Sequence, residues 1–210
     1  DMAYISLGES QLATLAALPG VKYIGCRPEM GEPEDREGRA LHRVNMIGSN
    51  PAQGLQLDGS GVRVMVRDDG WVGPHIDFQG RLTNDTYNDI GTHGDGVSGV
   101  LTGAGNYDPV VTGMAPGSQL FVINYQPDFL DNTLDYHQQQ GVVITNSSYS
   151  NGCNAGYTIE AQVVDKQLFE NRSLLHVFSA GNSNNQDCGY GAGNQWGNVT
   201  GGHKIGKNAF

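Results

Sequence analysis

The spacing of apolar residues changes character along the chain. In residues 1–27, Ala3-Tyr4-Ile5-Ser6-Leu7 and Val21-Lys22-Tyr23-Ile24 read as strands. Between them, Leu12, Leu15, Ala16 and Leu18 recur at helical spacing from about Ser10, until Pro19-Gly20 stops the helix. Residues 28–60 keep no period. There Glu29, Glu32, Glu34, Asp35, Arg36, Glu37 and Arg39 are mixed with Pro and Gly, which predicts a solvated linker with room for a short helix over Leu41–Ile47. From Gly61 to Phe210 strands and helices alternate. Strands are expected at 62–67, 120–124, 142–145 and 174–179, and helices from His93 to about Gly103, near 130–140 and over 159–170, where Ala161, Val164 and Leu168 share one face. This is the pattern of an α/β fold, a parallel sheet with helices on both faces. Ligands of such folds bind beyond the carboxyl ends of the strands, where Asp68, Ser148 and Asn182 fall.

Composition narrows the classes. At 210 residues the chain can bury a full core, and 31 glycines with 16% charged residues favour a turn-rich globule over disorder. The net charge of −10 leaves 12 scattered basic residues, too few and too dispersed for a nucleic-acid partner. No stretch is long and apolar enough to span a membrane. Of three cysteines, Cys153 and Cys188 lie in similar glycine-rich segments, Asn-Gly-Cys-Asn-Ala-Gly and Gln-Asp-Cys-Gly-Tyr-Gly, and are the expected disulfide pair. Free thiols are the alternative.

Three polar sites stand at the ends of apolar runs. Strand 62–67 runs into Asp68-Asp69-Gly70, the segment Gly91-Thr92-His93-Gly94-Asp95-Gly96-Val97-Ser98-Gly99 opens a helix with a histidine, and Phe178-Ser179-Ala180 leads into Gly181-Asn182. A histidine there can act as a base if a carboxylate fixes its tautomer. Asp68 and Asp69 compete for that role, and a turn aspartate satisfying backbone amides would explain one of them but not both. Gly94 is expected to keep space beside the imidazole, and Gly96 and Gly99 to let the helix press on the sheet.

In the order Asp68, His93, Asn182, residues 55–210 resemble the subtilisin-like serine peptidases, whose triad runs Asp, His, Ser along the chain. The resemblance implies a subtilisin-like fold and a serine endopeptidase that hydrolyses peptide bonds in proteins, with Asp68 and His93 in the triad and Asn182 donating to the oxyanion. It makes Ile144 to Ser150 the substrate-pairing segment, with Ser148, Tyr149 and Ser150 bordering the pockets. Gly113-Met114-Ala115-Pro116-Gly117 matches the family turn after the histidine helix. His75-Ile76-Asp77-Phe78 resembles a segment whose carboxylate often ligates a structural calcium together with the loop 106–111, so Asp77 is a candidate ligand; catalysis itself needs no cofactor.

The family's Gly-Thr-Ser motif does not occur among these residues. The fold is therefore expected to be incomplete, with the nucleophile in a C-terminal remainder of the same protein, on this or a second chain. Residues 1–27 resemble the end of an inhibitory propeptide, and 28–60 the linker that follows it. Residues 61–210 are then the N-terminal part of the peptidase domain. Export to the exterior or the cell envelope is implied. Two other readings stay open: a non-catalytic peptide-binding pseudo-peptidase, and a hydrolase in which Asp68, Asp69 and His93 hold a water-activating metal.

Overall fold

A computed structural model describes residues 7–22, 24, 35–48, 54–86, 91–125, 129–150, 156–182 and 202–210. The chain divides into two compact units, residues 1–34 and 35–210. In the first, a 3-10 turn Glu9–Gln11 leads into helix α1, Leu12–Ala16. Here the helical spacing is realised, while Val21 and Lys22 are irregular and not strand. The expected strand at 3–7 lies, but for Leu7, outside the described residues.

The second unit begins earlier than the expected domain start at Gly61. Helices α2 (Asp35–Leu41) and α3 (Val44–Gly48) belong to it, so the latter half of the supposed linker is part of the body. The reason is specific pairing that composition hides. Arg39 donates to the carbonyl of Gly113 and to Asn45 Oδ1, and the Gly117 amide donates to the carbonyl of Asp58.

The sheet has five strands: β1 (Arg63–Asp68), β2 (Leu82–Asn84), β3 (Gln119–Asn124), β4 (Ile144–Ser147) and β5 (Leu175–Phe178). Their order is β2-β3-β1-β4-β5 and every pairing is parallel. Phe210 bridges the backbone of His176 and Phe178, so the chain returns to the sheet beyond β5. β2 is not among the expected strands; a three-residue edge strand with one large apolar side chain has no readable period. β4 starts two residues later than expected because Val142 and Val143 come out of a turn, the Val142 amide donating to the Tyr136 carbonyl.

Helices cover both faces. Val64 and Val66 of β1, with Leu120 and Val122 of β3, pack against Val97 and Leu101 of helix α4 (His93–Thr102). On the opposite face Met65, Phe121, Ile123 and Val142 meet Tyr136, in the π-turn Tyr136–Gln140 that continues helix α5 (Phe129–Asp135). That turn stops at Gly141, whose φ of 67° suits glycine. Helix α6 (Ile159–Glu170) closes the same face through Val164 and Leu168. Burial of the six apolar residues at the centre of the first face, at about 1.5–3 kcal/mol each, is the main force holding α4 on the sheet.

Candidate active site

The alternation of β1 decides which of its polar residues can meet α4. Val64 and Val66 face α4, so Asp68 points to that side and Arg67 to the other. Asp68 is 1% exposed at the carboxyl end of the central strand, and its Oδ1 lies 2.7 Å from His93 Nδ1. Oδ1 also accepts from the Asp69 amide at 2.9 Å. Oδ2 has no hydrogen-bond partner among the described residues, and burial pushes the carboxyl above the usual carboxylate range despite the hydrogen bond to His93. The His93 side chain is 60% exposed, so its other nitrogen is open to a cleft.

Asp69 has the other role. Its two oxygens accept from the first amides of α4, Oδ2 from His93 at 2.9 Å and Oδ1 from Gly94 at 2.7 Å. Thr92, the residue at the N-cap, makes no side-chain cap bond. The helix carrying the base is thus capped by the residue next to the carboxylate that orients the base, which ties α4 to β1 at their common end. Adjacent carboxylates at a strand end divide the work: one holds the imidazole, its neighbour the backbone beneath it.

The glycines do not act as expected. A Cβ on Gly94 would meet Asp69 Oδ1 at 2.9 Å and Asp68 Cβ at 3.1 Å, and one on Gly91 would overlap Asp69 Oδ2, so these two permit the close approach to the sheet. Gly96 and Gly99 have nothing within 4 Å of such a Cβ, and Gly96 borders the cleft instead of the sheet. At the far end of α4, Met114 and Ala115 donate their amides to the carbonyls of Val100 and Leu101, each at 2.8 Å. The 113–117 turn is therefore a C-terminal cap.

A cleft of about 500 Å³ runs from His93 along Val97, Val100 and Met114 to Asn146 and Ser148. Asn146 Nδ2 donates to Ser148 Oγ at 2.8 Å. β4 is paired on both sides, by β1 and β5, so it offers no free edge to a peptide; only the segment past Ser147 can do so. Tyr149 is half-buried and tilted against Tyr125 at 4.7 Å, and Ser150 is exposed. Asn182 is exposed past the end of β5, after Gly181, whose φ of 105° turns the chain there. The structure brings Asp68 and His93 into contact and puts Ser148 and Asn182 at the same end of the sheet, without a direct bond to the pair. Cys153 and Cys188 lie outside the described residues.

Asp77 anchors a loop. Its Oδ1 accepts from the Asn106 and Tyr107 amides at 2.6 and 3.2 Å, and its carbonyl from Arg81 and the Ala104 amide. The Tyr107 side chain is turned to solvent, and the described residues contain no group of three His, Cys, Asp or Glu that could hold a metal ion. Arg81 was not anticipated: it clamps the carbonyls of Ser118 and Thr102 as well.

The subtilase family model matches residues 59–201, which span the Asp68 and His93 elements and the expected Asn182. The chain belongs to the subtilase family. Among solved structures, this subtilase resembles the Clostridium perfringens CspB protease with a TM-score of 0.54 at 17% identity, over 69% of this chain and 40% of that one. It resembles MycP1 from Mycobacterium smegmatis with a TM-score of 0.50 at 16% identity, over 77% and 49%. At these identities the likeness is one of fold. The chain spans less than half the length of either structure. No curated protein sequence matches it.

Proposed function

We propose that this subtilase chain supplies the carboxylate and base of an Asp-His-Ser triad in a serine endopeptidase, the serine lying beyond Phe210. The observation that carries the reading is the 2.7 Å contact between buried Asp68 and exposed His93 at the carboxyl end of a parallel sheet in a subtilase chain. Asp68 holds the proton on Nδ1 and leaves Nε2 unprotonated toward the cleft. Nε2 then takes the hydroxyl proton as the serine attacks the peptide carbonyl and returns it to the leaving amine. The Asn182 amide is suited to donate to the oxyanion of the tetrahedral intermediate, a contact worth roughly 3–4 kcal/mol. The cleft beside Ser148 would hold an extended peptide. Export and the release of residues 1–27 as a propeptide are part of the same reading and rest on the family resemblance.

The test is kinetic and uses the intact protein. His93→Ala and Asp68→Asn should each lower kcat for peptide hydrolysis roughly 10³- to 10⁴-fold, and the double variant should lose little more, because the two act as a unit. Additive losses, or inhibition by chelators with a normal Asp68→Asn variant, would contradict it.

A further inference from the structure

Lys204 stands where the carboxyl ends of β4 and β5 meet. The 3-10 turn Gly202–Ile205 that carries it is seated by its neighbours. A Cβ at Gly202 would overlap Thr158 Oγ1 at the start of α6, and His203 is wholly buried, 4.8 Å edge-on from the Phe178 ring and 5.6 Å from Tyr149. The backbone bridge at Phe210 holds the downstream side. Fixed in this way, Lys204 extends its ammonium to Ser150 Oγ at 2.8 Å and Ser179 Oγ at 3.3 Å. Ser150 ends the candidate substrate segment, and Ser179 lies three residues before Asn182.

The surroundings of this cation are unusual in a chain of net charge −10. Two of its three N–H donors face neutral hydroxyls, and no carboxylate of the described residues pairs with it; the one lysine ion pair there is Lys166 with Glu170. Burial lowers the Lys204 pKa. A half-buried ammonium whose solvation has been exchanged for two hydroxyls gains most from an anion that arrives with a ligand.

We infer that Lys204, steadied by Ser150 and Ser179, selects peptides with an acidic side chain, Asp or Glu, on the residue whose carbonyl is attacked. The inference rests on the peptidase reading, since it takes Asn182 as the oxyanion donor. With the attacked carbonyl at Asn182, the side chain of the same residue would pass Ser179, three residues earlier in the chain, and so come within reach of Lys204. Once there, a carboxylate accepts the remaining N–H of Lys204 beside Ser179.

The experiment compares matched peptides with Glu, Gln or Lys at that position as substrates of the intact protein. Glu is expected to exceed Gln roughly 10- to 100-fold in kcat/KM, the size of a charge-assisted hydrogen bond in a desolvated setting. Lys204→Met should bring Glu and Gln together, and Lys204→Arg should retain the preference, which separates loss of the cation from damage to the fold. Cleavage of all three at similar rates, or a Glu preference that survives Lys204→Met, overturns the role of Lys204 while the peptidase reading stands. If no peptide is cleaved, the peptidase reading fails and calorimetric binding decides: tighter binding of the Glu peptide that is lost in Lys204→Met upholds the acidic subsite, and equal or absent binding removes it.

Discussion

Asp68 is held at a cost. Its carboxyl pKa is raised mainly by burial, so the folded protein binds a proton there more readily than the unfolded chain does. Any stability from this group is fully present below its unfolded pKa and is lost as pH rises through the folded one, so the ionised form opposes folding. Asp68→Asn, followed by calorimetry at pH 7, should therefore leave Tm unchanged or raise it while strongly lowering kcat; a large fall in Tm would make Asp68 a structural residue. Asp69 acts on the helix start instead. Asp69→Ala removes both acceptors for the first amides of α4, and should cost about 1–2 kcal/mol in denaturant unfolding while reducing activity less than Asp68→Asn. Similar kinetic losses for both variants would mean that the two carboxylates share one role.

At the scale of elements, the central device is the pinning of α4 to β1 at one end and to the 113–117 turn at the other. On the opposite face β4, β5, α6 and α5 are joined by a buried polar chain. Thr145 Oγ1 lies 2.6 Å from His176 Nδ1, His176 Nε2 3.1 Å from Gln167 Oε1, and Gln167 Nε2 donates to the Leu130 carbonyl at 2.8 Å. A neutral imidazole that accepts from Thr145 and donates to Gln167 satisfies every link. Burial, reinforced by the charge of Arg67, lowers the His176 pKa to about 3, and His203 is lowered to about 4, again chiefly by burial. Both shifts are downward, so their contribution to stability is complete above about pH 6.5 and is lost as pH falls toward those values. Unfolding free energy should drop by up to about 1.4 kcal/mol per pH unit for each histidine below pH 6.5, and the His176 ring resonances should not titrate between pH 5 and 8. A His176 midpoint near 6.5 in NMR would break the chain of bonds.

For the molecule as a whole, the long periodic runs were the legible part. Strands at 63–68 and 119–124 and the helix at 159–170 are written in apolar spacing, the helix at 93–102 in its histidine and glycines, and the pairing of Asp68 with His93 in the family resemblance. What stayed hidden depends on contacts distant in sequence. Asp69 caps a helix 24 residues away, Arg39 reaches a carbonyl 74 residues on, and Lys204 meets Ser150 across 54. None of these leaves a local period or motif. The role given to Gly96 and Gly99 failed for a related reason, because helical spacing alone does not say which face of a short, glycine-rich helix meets the sheet.

In the proposed mechanism, Asp68 and His93 activate a serine carried outside residues 1–210. Treating the intact protein with a fluorophosphonate and mapping the adduct by mass spectrometry tests it directly. The account predicts one modified serine beyond Phe210, with labelling that is strongly slowed in His93→Ala. Labelling of Ser147, Ser148 or Ser179, or a rate indifferent to His93, would contradict it.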